Sequence, residues 1–260
     1  MVGMRYVAGV SWPRSGHHLM ERLVQNYFGE SFRYCFFYRD DPACCHTFPC
    51  TQSGVNFTKY HDFELSGRIV EGVPYLVQYR ALTPATISDF ELYLRDDGDV
   101  GEDTVESFRA FARYKADGWA AFMAKWVDAP FPTERLLVRY EDLVSDAHGV
   151  LRSTIPFFAP GEVLDEERLG HVIETEHHVD VSKQDGVKWR LNAGVKAFRK
   201  PESFRFYDAS FFSELEAYAD EKRWQIAAAE VADAAHNWRR PSSAIQFLRS
   251  SASRLRRLIS

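Results

Sequence analysis

The octapeptide Ser11-Trp12-Pro13-Arg14-Ser15-Gly16-His17-His18 puts a cation, a glycine and a run of backbone N–H groups just ahead of a segment with helical spacing. Such a helix entry can bind an anion, because its first N–H groups are unpaired and carry partial positive charge, and glycine permits close approach. The G-x-x-x-x-G-K-[ST] spacing of a Walker A loop fails here. Taken alone, an Arg-Ser-Gly helix entry is more often only a turn and cap, but three further groups change that weighting. Lys59 and His61 stand two residues apart, on the same side of an extended strand. Arg80 is followed eight residues later by Ser88, and Tyr140-Glu141-Asp142-Leu143 closes a fourth apolar run. Asp62 could orient His61, but is read instead as a cap or surface carboxylate.

These groups need a scaffold that gathers them. Apolar, β-branched and aromatic runs at Arg5–Val10, Val55–Tyr60, Val73–Tyr79 and Arg135–Tyr140 read as strands. Val73–Tyr79 is apolar on both faces, as buried parallel strands are. Leu19, Leu23, Val24, Tyr27 and Phe28 recur at helical spacing after the first strand. Thr83-Pro84 supplies a cap and a first-turn proline for a helix from about Pro84 to Leu94. A long amphipathic helix runs from Val105 through Phe108, Trp119 and Phe122 to Trp126, and another starts near Asp142. Beyond Phe158 the pattern is again helical, with a loop-rich interval from Ser182 to Asp208 and a helix over Ala209–Arg223. Strands alternating with helices predict an α/β fold with a parallel sheet and helical layers on both faces. All four groups then fall outside the carboxyl ends of strands, where ligands of open α/β sheets bind.

The set resembles the sulfotransferases that use 3′-phosphoadenosine 5′-phosphosulfate (PAPS) as donor. Pro13-Arg14-Ser15-Gly16 is similar to that family's 5′-phosphosulfate loop, and Lys59-Tyr60-His61 to its Lys-x-His segment carrying the catalytic base. Arg80 and Ser88 resemble its 3′-phosphate pair, Tyr140-Glu141-Asp142-Leu143 its Tyr-Glu-Asp-Leu strand end, and Phe198-Arg199-Lys200 its late Arg-Lys-Gly loop. The resemblance spans roughly Arg5 to Trp224. It implies a single-domain fold over residues 1–235 with a P-loop-like central parallel sheet flanked by helices, and PAPS as co-substrate without a metal. It also implies donor contacts from Arg14, Ser15, Gly16, His17, His18, Arg80, Ser88, Tyr140, Arg199 and Lys200, with catalysis by Arg14, Lys59 and His61. The sequence departs from the pattern at His17 and His18, which replace hydroxyl residues, at Leu19, where a Trp commonly stacks on adenine, and at Pro201, which replaces a glycine. Trp12 and Tyr140 are the candidates for the adenine sandwich.

Sulfuryl transfer, like phosphoryl transfer, spreads charge over equatorial oxygens, so positioning and cations such as Arg14 and Lys59 should dominate. A histidine titrating near neutrality suits proton removal from the acceptor hydroxyl, a step worth about 10²–10⁴ in rate. The alternatives are a nucleotide-dependent kinase, disfavoured by the missing Walker Lys-[Ser/Thr] and magnesium-binding acid, and a catalytically silent nucleotide- or glycan-binding relative, suggested by His17, His18 and Pro201.

Composition excludes other classes. The chain carries 32 Lys+Arg against 37 Asp+Glu over 260 residues, a formal charge of -5. The stretch from Ala234 onward has six arginines and no acid, leaving about -11 on the remainder, so general nucleic-acid binding is not expected. The longest stretch without a formal charge, Pro42–Thr58, is rich in Thr, Ser, Gln and Pro, so no run of about 18 apolar residues spans a bilayer. The N-terminus has no secretory h-region, which makes a cytoplasmic location the expectation. The basic tail over 236–260, with Ile245, Leu248, Ala252, Leu255 and Ile259 at helical spacing, fits either a helix peripheral to a membrane or one packed on the domain or a second subunit. The four cysteines, Cys35, Cys44, Cys45 and Cys50, cluster with His46 but form no C-x-x-C pair; they read as reduced packing thiols rather than a zinc site. The aromatic segment from Phe32 to Phe57 around them is the expected acceptor wall, and the acceptor is a small molecule or glycan bearing a hydroxyl, with a weak preference for carbohydrate or glycolipid.

Overall fold

The computed structural model describes residues 3–38, 44–96, 102–177 and 200–236. Two compact units emerge. One is built from Met1–His61, Arg68–Ala81 and Phe131–Arg199, the other from Asp62–Gly67, Leu82–Pro130 and Lys200–Ser260.

The first unit carries a five-stranded parallel sheet: β1 (Val7–Ser11), β2 (Tyr34–Cys35), β3 (Phe57–Tyr60), β4 (Tyr75–Tyr79) and β5 (Arg135–Arg139), in the order β2-β3-β1-β4-β5. Every residue of β1 is buried, as expected of a central strand covered on both faces. Gly9 lies opposite Lys59 in the β1–β3 ladder, where a Cβ would stand 2.3 Å from the Thr58 carbonyl oxygen and 2.5 Å from the Phe57 ring. Only glycine allows the Phe57 side chain to lie against β1 at that point.

Among the described residues, this unit has the helices α1 (His17–Phe28), α4 (Tyr140–Ser145), α5 (Ala147–Phe158) and α6 (Glu166–His177). Leu19, Leu23 and Tyr27 of α1, Leu151, Ile155 and Phe158 of α5, and Leu169 and Val172 of α6 share one buried cluster with Val7, Phe57, Leu76 and Val138 of the sheet. Burying a side chain of this size stabilises by about 1.5–3 kcal/mol, so the α1 stripe fixes the helix, and with it the loop ahead of it, against the sheet. Glu176 is buried but paired, accepting from Arg22 at 2.9 Å and Asn26 at 3.2 Å.

The second unit contains α2 (Leu82–Asp96), α3 (Val105–Met123) with a π-helical turn at Ala124–Asp128, and α7 (Ala209–His236). Phe90, Phe108, Phe204 and Phe212 form its aromatic centre, and Lys115 meets Asp89 in a buried pair at 2.6 Å. Thr104 caps α3, its hydroxyl accepting from the Ser107 N–H at 3.2 Å.

Several boundaries differ from the sequence reading. The helix expected from Pro84 begins at Leu82, so Thr83 is helical rather than a cap, and its hydroxyl donates to Glu216 at 2.5 Å. Tyr140 opens α4 instead of ending the fourth strand. The segment Phe32–Phe57, expected as an insertion alone, contributes β2 to the sheet edge. The final helix continues past Arg223 to His236. Asp62 is no surface carboxylate: it is 1% exposed and accepts from the Gly67 N–H at 2.7 Å, Lys125 Nζ at 2.6 Å and Trp126 Nε1 at 2.8 Å. The loop expected over Ser182–Asp208 up to residue 199, Arg199 itself, and the amphipathic tail from residue 237 lie outside the described residues. None of the described helices is long and apolar enough to cross a membrane.

Candidate active site

The turn from β1 into α1 carries the strain expected of a ligand-binding loop. Arg14 has φ 66°, a left-handed conformation that costs a non-glycine residue energy and persists where surroundings enforce it. Gly16 has φ 78° and caps α1, with no side chain bonded to the helix start. A Cβ on Gly16 would lie 2.7 Å from the Tyr140 ring, so both the backbone angle and the close approach require glycine. The Gln78 amide from β4 holds the loop by donating to the Ser15 carbonyl at 3.3 Å. The Ser15 hydroxyl and His17 Nδ1 are buried and have no hydrogen-bond partner among the described residues.

Arg80, at the end of β4, braces the same loop. Its guanidinium lies 4.2 Å above the Tyr140 ring, its Nη1 donates to the Arg14 carbonyl at 3.3 Å, and its Nε is 3.8 Å from Glu141. Burial pulls its pKa down, and Tyr140 and Glu141 partly offset that. The group stays charged, as arginine does in proteins.

Lys59 lies on β3, and His61 follows its last residue. Lys59 is 8% exposed, donates from Nζ to His18 Nε2 at 3.0 Å and sits 4.8 Å over the Phe36 ring. That bond makes His18 Nε2 the acceptor, so its proton is on Nδ1, 3.8 Å from Glu21. His61 places Nδ1 2.7 Å from the Ser11 carbonyl and 3.2 Å from the Ser11 hydroxyl. A carbonyl only accepts, so Nδ1 carries the proton and Nε2 is the basic atom. The ring stacks on Tyr38 at 5.5 Å, whose hydroxyl accepts from the His61 backbone N–H at 2.7 Å. His17 faces inward, stacked on Phe57 at 5.0 Å with Nε2 3.0 Å from the Tyr34 hydroxyl. Burial, then the charge of Lys59 and the neighbouring His18 and His61, hold its pKa well below the usual histidine range.

Arg14, Ser15, Gly16, His17, His18, Lys59, His61, Arg80 and Tyr140 thus gather at the carboxyl ends of the parallel strands of the first unit. Ser88 is half-buried on α2 of the second unit, and Lys200 is exposed ahead of the 3₁₀ turn Pro201–Ser203 in that same unit.

No protein-family model matches the chain, and no curated protein matches it in sequence. Among solved structures, the crystal structure of mouse sulfotransferase SULT7A1 complexed with PAP matches over 88% of this chain and 89% of that one, with a TM-score of 0.58 and 14% identity. The chain has the fold of a sulfotransferase.

Within that fold, several residues that shape the site were not singled out from sequence. Ser11 sets the His61 tautomer, Tyr34 meets His17, and Phe36 and Tyr38 cover His18 and His61. Glu141 accepts from the Ala81 N–H at 3.4 Å as well as flanking Arg80. The signal for Phe36 and Tyr38 was only the aromatic content of their segment. Glu141 stood inside a recognised tetrapeptide, but nothing in its spacing tied it to Arg80.

Proposed function

We propose that the protein is a PAPS-dependent sulfotransferase that moves a sulfuryl group to an acceptor hydroxyl. The observation that carries this is the convergence, at the carboxyl ends of neighbouring strands, of a strained Arg-Ser-Gly helix entry, a lysine held by His18 and a histidine whose tautomer is set by Ser11. The likeness of fold to a sulfotransferase complexed with PAP supports the same reading.

The first-turn N–H groups of α1, Arg14 and the unpartnered Ser15 hydroxyl suit the 5′-phosphosulfate of the donor. Lys59 lies two residues from His61 and provides positive charge where the leaving phosphate oxygen gains negative charge. His61 Nε2 takes the acceptor's proton while the acceptor oxygen forms its bond to sulfur and the sulfur–oxygen bond to the 5′-phosphate breaks, releasing 3′-phosphoadenosine 5′-phosphate. The resulting imidazolium keeps its Nδ1–H bond to the Ser11 carbonyl, now charge-assisted and stronger. Arg80 and Tyr140 are assigned to the nucleotide, Arg80 acting from a position already fixed by Tyr140 and Glu141. Trp12, 7% exposed, and Tyr140, 9% exposed, remain the adenine candidates. The aromatic run Phe36–Tyr38 beside His18 and His61 offers flat apolar faces to a sugar ring, which favours a carbohydrate or glycolipid acceptor.

A screen of glycan, glycolipid and phenol acceptors with PAPS labelled in the sulfuryl group tests this. Transfer of label to a hydroxyl, with stoichiometric release of 3′-phosphoadenosine 5′-phosphate, is the expected result. Nucleotide binding without transfer to any acceptor class would favour a silent binding module.

A further inference from the structure

The segment between β2 and β3 is long, from residue 36 to residue 56, and its described part forms no helix or strand. Loops longer than about 12–15 residues without elements of their own are uncommon and need something to hold them. All four cysteines of the chain lie at its start or within it. The Sγ atoms of Cys35, Cys45 and Cys50 lie within 4.8 Å of one another. Cys45 and Cys50 approach to 3.2 Å, and Cys44 brings a fourth sulfur 3.4 Å from Cys35. Tetrahedral zinc–thiolate sites, with Zn–S bonds of about 2.3 Å, put neighbouring sulfurs about 3.8 Å apart, close to this arrangement.

Hydrogen-bond donors surround the sulfurs. The Thr47 hydroxyl donates to Cys45 Sγ at 3.0 Å and the His46 N–H lies 3.4 Å from Cys44 Sγ. Backbone groups of Cys45, Thr51 and Gln52 bond the sulfurs of Cys35, Cys45 and Cys50 in turn. Sulfurs that ligate a metal are characteristically oriented by such outer donors. No C-x-x-C pair occurs in the sequence. The fold supplies what spacing lacks, because β2 delivers Cys35 from one end of the loop while Cys45 and Cys50 come from the other.

We propose that Cys35, Cys45 and Cys50, with Cys44 beside them, hold one zinc ion that staples this loop. Binding releases the thiol protons to solvent and involves no oxidation. The staple's consequence lies next to it in the chain, since Phe36, stacked on His18 at 5.5 Å, and Tyr38, stacked on His61, follow Cys35 directly. From the other end Phe48 stacks on Tyr60 at 4.2 Å, and the Cys50 N–H donates to the Tyr6 hydroxyl at 2.7 Å. Zinc therefore acts as a structural ion that positions an aromatic wall, with no part in the chemistry.

The full chain, purified under reducing conditions without chelator, should contain about one zinc per chain by elemental analysis. Exchange for cobalt should give tetrahedral visible bands and a charge-transfer band whose intensity corresponds to at least three thiolates. Cys50→Ser should lose the zinc and the cobalt spectrum. His171→Ala, on α6 and distant in sequence, should keep both, which separates ligand loss from general damage. A metal-free chain whose intact mass is lighter by four hydrogens would instead show two disulfides. A metal-free, fully reduced chain, or a cobalt spectrum with fewer than three thiolates, would equally overturn the proposal.

Discussion

At His61 a backbone carbonyl decides which nitrogen does the chemistry. Because Nδ1 donates to Ser11, replacement by alanine removes the base and leaves the phosphate loop in place. His61→Ala should therefore lose about 10²–10⁴ in turnover while donor affinity stays within a few-fold, as read by kcat and by nucleotide titration. Unchanged turnover with a good acceptor would remove His61 from the mechanism. Lys59→Ala should also act mainly on turnover, by about 10²–10³, since its charge matters most as the leaving oxygen becomes negative. His17 gives a pH prediction. Its folded pKa is depressed by burial and by Lys59, His18 and His61, with the Tyr34 hydroxyl as its polar neighbour, so the unfolded state binds the proton more readily. Stability is then complete above the unfolded value of about 6.5 and falls as the pH drops below it, by at most about 1.4 kcal/mol per pH unit. Denaturant midpoints across that range should show the fall, and His17→Gln should flatten it. Lys59 and His61 were legible because a period of two on a strand puts them side by side. Phe36, Tyr38 and Ser11 were not, because their contacts join segments far apart in the chain.

The loop between β1 and α1 and the β1–β3 ladder each depend on one missing Cβ. Gly16→Ala places a side chain at φ 78°, costing about 1–2 kcal/mol, and sets it against the buried Tyr140 ring. Gly9→Ala meets the Thr58 carbonyl, which cannot swing aside, so its loss of stability in urea unfolding should be the larger. Asp62→Ala, in the second unit, strips partners from Lys125 and the buried Trp126 indole and should cost about 3–5 kcal/mol. Equal stability of that variant would contradict a structural role for Asp62. The strands and longer helices were readable because their apolar periods are strong. A two-residue β2 has no period to read, and the Thr83 cap signal misled because that hydroxyl is used by Glu216 instead.

For the molecule as a whole, alternation of strand and helix signals was enough to place it in the α/β class, and the five parallel strands bear that out. The division into two compact units was invisible in sequence, since each unit is assembled from three separate stretches of chain with no linker composition to mark the joins. A shared fold at 14% identity has the same cause, because packing asks for apolar character and volume while only a few positions are held by chemistry. The proposed site at the carboxyl ends of the strands in the first unit takes a 3′-phosphorylated adenosine nucleotide. Titration calorimetry of the full chain with 3′-phosphoadenosine 5′-phosphate, and separately with ATP, tests it most directly. Saturable one-to-one binding of the former is expected, weakened at least tenfold by Arg14→Ala, with ATP markedly poorer. Preference for ATP, or no binding of 3′-phosphoadenosine 5′-phosphate by folded protein, would contradict it.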